Sequence, residues 1–436
     1  MSIEKINQAK AEIYQSSAYK LITEFFDADT FVEIDAFVKS SDSLAEVVAG
    51  FGTVEGMPVY AFAQNSDFCG GALSNAQTVK LKKLYNMAHM TGAPVFGFYD
   101  SIGGRLAQGT DLLAGCGKVF KSSADLSGVV PQVSVILGTC LGINALNAVN
   151  ADIVIMSEKA QLSLSVIGED SSADYNEENG ISALTVKDTQ EAVSIARKLA
   201  LYLPSNNLCM PVQSFVEESN PNSSCMVNKI ADSNTAIELF KSYGNNATVN
   251  LVRIDGEVAG VVSTEGGNLE LKSTEKIARF VRFCDAFSIP IITFVDCNGF
   301  ESIKSACKVI SAYAEATTVK ISVIKGNAIG SAYIALAGTG GNADIVYAFP
   351  KSIISPINTE AATFIMAPER MKVPVSEQRA VADNFAQENL SAFNAAQNGY
   401  IDGIIEESEL RQTLISALDM LSGKRVLTIA KKHSTI

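Results

Sequence analysis

Three glycine turns, at Asp100–Arg105 (DSIGGR), Gly138–Ala145 (GTCLGINA) and Gly326–Tyr333 (GNAIGSAY), are the parts of this sequence best suited to chemistry. Each follows a short apolar run, so successive main-chain N–H groups can be aimed at one point, and a helix opened at such a turn adds a positive dipole end. Convergent amides can hold an oxyanion, and losing one such donor typically costs about 2.7–4 kcal/mol of transition-state stabilisation. Side chains offer less. There are two histidines, His89 inside the helical pattern LKKLYNMAHM and His433 in the terminal KKHSTI. Histidine triads and multi-histidine metal sites are disfavoured, and no metal is expected. Cys69 and Cys140 flank glycine turns, but a nucleophilic thiolate needs a neighbouring cation or helix end to lower its pKa.

The elements that position these turns belong to a two-domain chain, because 436 residues exceed what one hydrophobic core usually organises. An apolar fraction of 47% and a charged fraction of 19% suit a globular protein with no membrane span. The start, MSIEKINQAKAEIYQSS, lacks the features of an export signal, so a cytoplasmic location is expected. Eight cysteines without a CxxC pair are expected to be reduced and mostly buried. The net charge of −13, with no basic stripe interleaved with aromatics, argues against nucleic acid as a partner. Lys80–Lys83, Arg105, Lys118 and Lys121 either form a solvated face or supply local positive charge for a small polyanion.

The chain also repeats itself. SNAQTVKLKKLYNMAHMTGAPVFGFYD runs parallel to STEKIARFVRFCDAFSIPIITFVD at an offset of 196, aligning Thr78 with Thr274, Lys80 with Lys276, Asp100 with Asp296 and Gly103 with Gly299. VSVILGTCLGINA matches ISVIKGNAIGSAY at an offset of 188, pairing Gly142 with Gly330, and NADIV occurs at both Asn150 and Asn342. Continuous apolar runs such as VFGFYD and IITFVD read as strands buried on both faces, and their alternation with helices implies an α/β core. Asp188 with Glu191 reads as a capping box opening a helix that Pro204 stops. The Pro/Ser/Asn-rich stretch from 204 to 224 is the natural boundary, giving domains 1–215 and 225–436.

At these residues the chain resembles the biotin-dependent acyl-CoA carboxyltransferases. The resemblance runs from about Asp27 to Leu421 and rests on TFVEIDAFV, GTVEGMPVYAFAQ, FCGGALS, GAPVFGFYDSIGGR, SGVVPQVSVILG, STEKIARFVRFCDAF, AYAEAT and NGYIDGIIE. It implies a duplicated crotonase-like fold, an N-terminal acyl-CoA-binding domain, and a C-terminal domain that faces biotin carried on a partner protein. It further implies a homo-oligomer, dimer or hexamer, with the site between halves of two subunits, and a biotin carboxylase or a sodium-pump decarboxylase subunit as partner. Carried over by motif, amides around Gly142, Ile143 and Asn144 would hold the thioester enolate, opposite Gly103 and Gly104. Arg105, Gly70, Gly71 and Ile334 would line the substrate. Gly330, Ser331 and Ala332 would face the biotin ureido oxygen, beside Gly299 and Phe300. The carboxyl group would pass as CO₂ between biotin and a short-chain acyl-CoA, acetyl/malonyl or propionyl/methylmalonyl, without a side-chain base.

The sequence departs from that family where Ile102, Ile143 and Ser331 stand in place of glycines, and where ESIKSACKVI follows Phe300 in place of a longer loop. Bulk at Ile143 is expected to restrict the acyl pocket. Two further readings stay open: a non-catalytic subunit that keeps the fold, and a biotin-independent hydratase or thioesterase. Lys372 in the tripeptide MKV reads as a surface lysine, not a biotinylation site.

Overall fold

Two strand hairpins set the frame of the molecule, each followed by a run of parallel strands. The computed structural model describes residues 3–40, 43–165, 168, 170–216, 218–340 and 343–426. His433 and Asn342 lie outside them. The chain forms two units, Met1–Val212 and Gln213–Ile436.

In the first unit the Glu55–Gly56 turn, with both residues at positive φ, joins strands Val47–Val54 and Met57–Gln64 antiparallel. Met57–Gln64 then pairs in parallel with Val95–Ser101, that strand with Gln132–Leu141, and the last with Ile153–Ser157. Helices Asn75–Thr91 and Gly109–Leu126 connect the parallel strands. The order recurs in the second unit: Ala247–Ile254, Glu257–Thr264, Ile291–Cys297, Lys320–Ile329 and Ile345–Ala348, with helices Leu271–Ala286 and Ile303–Glu315 between. Val95–Ser101 and Ile291–Cys297 are buried along nearly their whole length, as continuous apolar runs covered on both faces require.

Local chemistry starts and stops the helices. Ser74 accepts the Gln77 N–H at the head of Asn75–Thr91, and Gly92, at φ +65°, closes its end in the left-handed conformation. The Asp188 carboxylate accepts the Glu191 N–H and opens Thr189–Tyr202, while the Glu191 carboxylate accepts the Lys187 N–H, one residue outside the expected box. The helix ends just before Pro204. Arg197 on that helix reaches Asp27 (3.0 Å) and the Phe25 carbonyl, pinning it to the Glu55–Gly56 turn, whose N–H groups donate to Asp27. Arg411, Asp232 and the Asp255–Gly256 turn repeat this clamp in the second unit.

The eight cysteines are all free thiols, but only Cys116, Cys140, Cys284 and Cys297 are buried, so the expectation of mostly buried cysteines is corrected. Cys69, Cys209, Cys225 and Cys307 lie on turns, caps and helix faces that the sheet does not cover. No described helix is long and apolar enough to cross a membrane.

Candidate functional site

In each unit the glycine turns stand at the carboxyl ends of two adjacent parallel strands, the usual place for ligands in α/β sheets. The pairing of Val95–Ser101 with Gln132–Leu141 shifts register between Tyr99 and Ser101, and that of Ile291–Cys297 with Lys320–Ile329 shifts between Val295 and Cys297. Such an irregularity re-aims the backbone at a strand end.

Gly142 adopts φ +64° and ψ −133°, a conformation essentially reserved for glycine. Its N–H donates to the Ser163 carbonyl (2.9 Å), which fixes the turn. Helix Ile143–Val149 starts immediately after it, and the amides of Ile143 and Asn144 have no acceptor among the described residues. First-turn amides are left open in this way by helix geometry. The Asn144 side chain is turned inward, exchanging two hydrogen bonds with Gln64 (2.9 and 3.1 Å), and the residue is buried, which leaves its main-chain N–H as the donor without a partner among the described residues. The Ile143 side chain packs on Leu73, Leu112 and Cys116. Part of the Ile143 bulk is thus packed on the core while the residue stays partly exposed.

The Gly103–Gly104 turn does not open a helix. It runs extended: the Leu73 N–H donates to the Gly103 carbonyl (2.7 Å) and the Arg105 N–H to the Leu73 carbonyl (2.9 Å). A Cβ on Gly103 would lie 3.7 Å from the Leu141 carbonyl oxygen, so this turn borders the one at Gly142. Gly70 accepts the Ile102 N–H (3.1 Å), and a Cβ on Gly71 would meet the Asp100 carbonyl at 2.1 Å. Both glycines therefore serve close packing under the turn. The Ile102 side chain lies over Gly70 and remains exposed.

In the second unit Gly330 has φ +52° and donates to the Ser355 carbonyl (2.8 Å). The amides of Ser331 and Ala332 have no acceptor among the described residues, and a single π-helical turn, Tyr333–Ala337, follows. A groove of about 520 Å³ lies against this turn, lined by Gly330, Tyr333, Ile334, Ile354, Pro356 and Tyr400. The first unit has a smaller counterpart of about 360 Å³, with Leu146, Leu162 and Leu164 in its wall. Gly299, at φ +147°, and Phe300 pair with Asn268 and Leu269, matching the contact of Gly104 with Leu73. Helix Ile303–Glu315 begins three residues after Phe300, where the resemblance implies a longer loop.

The basic residues proposed for a polyanion are mostly committed elsewhere. Lys80 is buried and bonded to Glu33 (2.7 Å) and the Val47 carbonyl (3.0 Å). Lys83 pairs with Asp35, Lys121 with Asp125, and Arg105 with the buried Glu46. Lys118 is exposed. Glu46 was not singled out from sequence; its difference from Asn246, the matching residue ahead of the repeated hairpin, is the signal that could have found it. His89 is exposed on its helix, and burial pushes the Cys140 thiol well up, so neither matches a catalytic base or a thiolate nucleophile.

The carboxyl transferase domain model matches residues 16–436. This chain belongs to the biotin-dependent acyl-CoA carboxyltransferase family. Methylmalonyl-CoA decarboxylase subunit alpha of Propionigenium modestum is 32% identical, the alignment covering 96% of this chain and 93% of the relative. The methylmalonyl-CoA carboxyltransferase 12S subunit of Propionibacterium freudenreichii subsp. shermanii is also 32% identical, over 96% and 91% of the two chains. The propionyl-CoA carboxylase beta chain of Roseobacter denitrificans is 30% identical, over 96% and 93%. Among solved structures, the transcarboxylase 12S hexamer with hydrolysed methylmalonyl-coenzyme A bound superposes with a TM-score of 0.88 at 28% identity, covering 99% of this chain and 94% of the other. The two units of this carboxyltransferase are therefore duplicated crotonase-like domains, and the chain is an enzyme subunit whose reaction is carboxyl transfer.

Proposed function

We propose that this subunit moves a carboxyl group between biotin on a partner carrier protein and a short-chain acyl-CoA of the propionyl/methylmalonyl class. The observation that carries the reading is the repeated turn, in which a glycine at positive φ is followed by two amides without acceptors among the described residues, Ile143 and Asn144 in one unit and Ser331 and Ala332 in the other. The substrate class follows the relatives, several of which act on methylmalonyl-CoA or propionyl-CoA.

In the N-terminal unit the amides of Ile143 and Asn144 hold the thioester oxygen as it gains charge. Fixed dipoles of this kind need no reorganisation when the charge appears. Gly103 and Gly104 border that position without side chains to obstruct it. In the C-terminal unit the groove beside Gly330 has apolar walls at Ile334, Ile354 and Pro356, and the Ser331 and Ala332 amides, without acceptors among the described residues, follow Gly330 directly in the chain. This fits a bicyclic ring with apolar faces and a polar ureido edge. Biotin, when its carrier delivers it, supplies the ring nitrogen that bears the carboxyl group. Ala332 is buried, while Gly299 and Phe300 form the neighbouring edge. Assembly of at least two copies, as a dimer or hexamer, brings the two kinds of turn to one reaction, and a biotin carboxylase or decarboxylase-pump subunit recharges or discharges the carrier.

Ala332→Pro tests the assignment because it deletes one N–H donor, and because its ring can also distort the turn, oligomeric state and acyl-CoA binding serve as controls. Turnover of methylmalonyl-CoA should fall about two to three orders of magnitude, with acyl-CoA affinity by calorimetry and oligomeric state unchanged. Full activity in this variant would contradict the assignment.

A further inference from the structure

The two units share nearly every element around their glycine turns, but among the described residues one device is present only in the first. Glu46 immediately precedes the Val47–Val54 strand, and its carbonyl accepts the Asn65 N–H (3.0 Å). Its side chain is fully buried. One carboxylate oxygen pairs with the Arg105 guanidinium and the other accepts the Ser74 hydroxyl. Arg105 is itself largely buried, lies over the Phe68 ring (5.6 Å to its centroid) and donates to Ser40 (3.2 Å).

These partners converge on the acyl-CoA-side turn. Arg105 directly follows Gly103–Gly104, and its N–H and the Leu73 N–H make the two hydrogen bonds that hold the turn extended. Ser74 follows Leu73. The Glu46 carboxylate thus ties together both strands of the Leu73–Gly104 contact from beneath.

The second unit shows that the fold itself does not require this pair. There Asn246 takes the place of Glu46, its carbonyl accepting the Glu265 N–H (3.2 Å) and its side chain donating to the Asn268 carbonyl (2.7 Å). Glu301 takes the place of Arg105 and is exposed, yet its N–H still donates to the Leu269 carbonyl (3.1 Å). A buried ion pair carries a large desolvation penalty and is often no more stabilising than an apolar replacement, so its presence in one repeat alone calls for a role other than stability.

We infer that Glu46 is a positioning residue for the acyl-CoA-side turn, acting through Arg105 and Ser74 to hold Gly103 and Gly104 in register beside the Ile143 and Asn144 amides. Arg105 is then engaged in the lock and not with the substrate. The inference rests on the function proposed above for what the turn positions, and on geometry alone for the lock.

Glu46→Gln and the double variant Glu46→Leu/Arg105→Met test it in the full-length protein. The double variant leaves no lone buried charge and keeps the test open if the single variant fails to fold. Hydrogen exchange at the Leu73 and Arg105 amides of the ligand-free protein should quicken at least about tenfold, with the Glu301 amide as an unchanged internal control. For methylmalonyl-CoA turnover, kcat should fall about tenfold or more while KM stays within about twofold, the mark of misplaced transition-state contacts. Unchanged exchange at Leu73 and Arg105 in a folded variant would overturn the lock. A raised KM with kcat preserved would overturn it too, because Arg105 would then contact the substrate. Quickened exchange in a protein whose wild type turns over no acyl-CoA would support the lock and reject the proposed function instead.

Discussion

Asp100 occupies the space that a side chain at Gly138 would need: a Cβ there would lie 2.2 Å from its Oδ1, which accepts the Thr139 N–H (3.1 Å). Asp296 stands in the same relation to Gly326 and Asn327, at 2.6 Å and 2.9 Å. A carboxylate at the end of one parallel strand thereby fixes the next strand just before its glycine turn. Gly138→Ala and Gly326→Ala should each displace the carboxylate and free an amide, destabilising the protein by about 1–3 kcal/mol. Urea denaturation checks this, and a midpoint equal to the wild type would contradict the contact.

Gly142 meets nothing within 4 Å of an added Cβ, so its requirement is conformational. Gly142→Ala should cost about 1–3 kcal/mol of backbone strain or rotate the Ile143 and Asn144 amides away. Expected is a fall in kcat of at least about tenfold with the fold intact by circular dichroism. Unaltered kcat would remove these amides from the mechanism.

Much of this architecture is legible in sequence because it is local or repeated. Continuous apolar runs mark the doubly covered strands, and the fixed offsets carry Asp100 onto Asp296 and Gly142 onto Gly330. The Glu46–Arg105 pair was hidden, since its partners are distant in the chain and the difference between Glu46 and Asn246 marks one partner without saying that the two meet. The direction of the Ile143 side chain was also hidden, because residue size does not say which face of a short helix is covered. Lys80 looked like a surface cation in a run of lysines; only the packed helix shows that it points inward to Glu33.

Burial pushes the Lys276 ammonium down to about 8, although it donates to the Phe240 and Gly244 carbonyls (3.3 and 2.7 Å). With the folded value below that of the unfolded chain, about 10.4, the unfolded state binds more protons between them. Stability attributable to this lysine should therefore rise with pH from about 8 to about 10.4. Lys276→Met should flatten that segment of a pH series of urea midpoints, whereas an identical slope in the variant would contradict the assignment.

Lys372 is exposed and paired with Glu369 (2.6 Å), between helices Thr359–Met366 and Val375–Asn389, in surroundings unlike a hairpin tip. Intact mass after co-expression with a biotin ligase should show no adduct on this chain. A biotinylated Lys372 would overturn the division of labour between this subunit and its carrier.

The most direct test of the central claim is the biotin dependence of turnover. Purified protein should release CO₂ from methylmalonyl-CoA when free biotin or its carrier protein is supplied, and should be nearly inactive without either. Equal CO₂ release with and without biotin would contradict the account; biotin-independent release of free CoA without CO₂ would favour a thioesterase, biotin-independent hydration of an enoyl-CoA a hydratase, and tight acyl-CoA binding with no turnover under either condition a non-catalytic subunit.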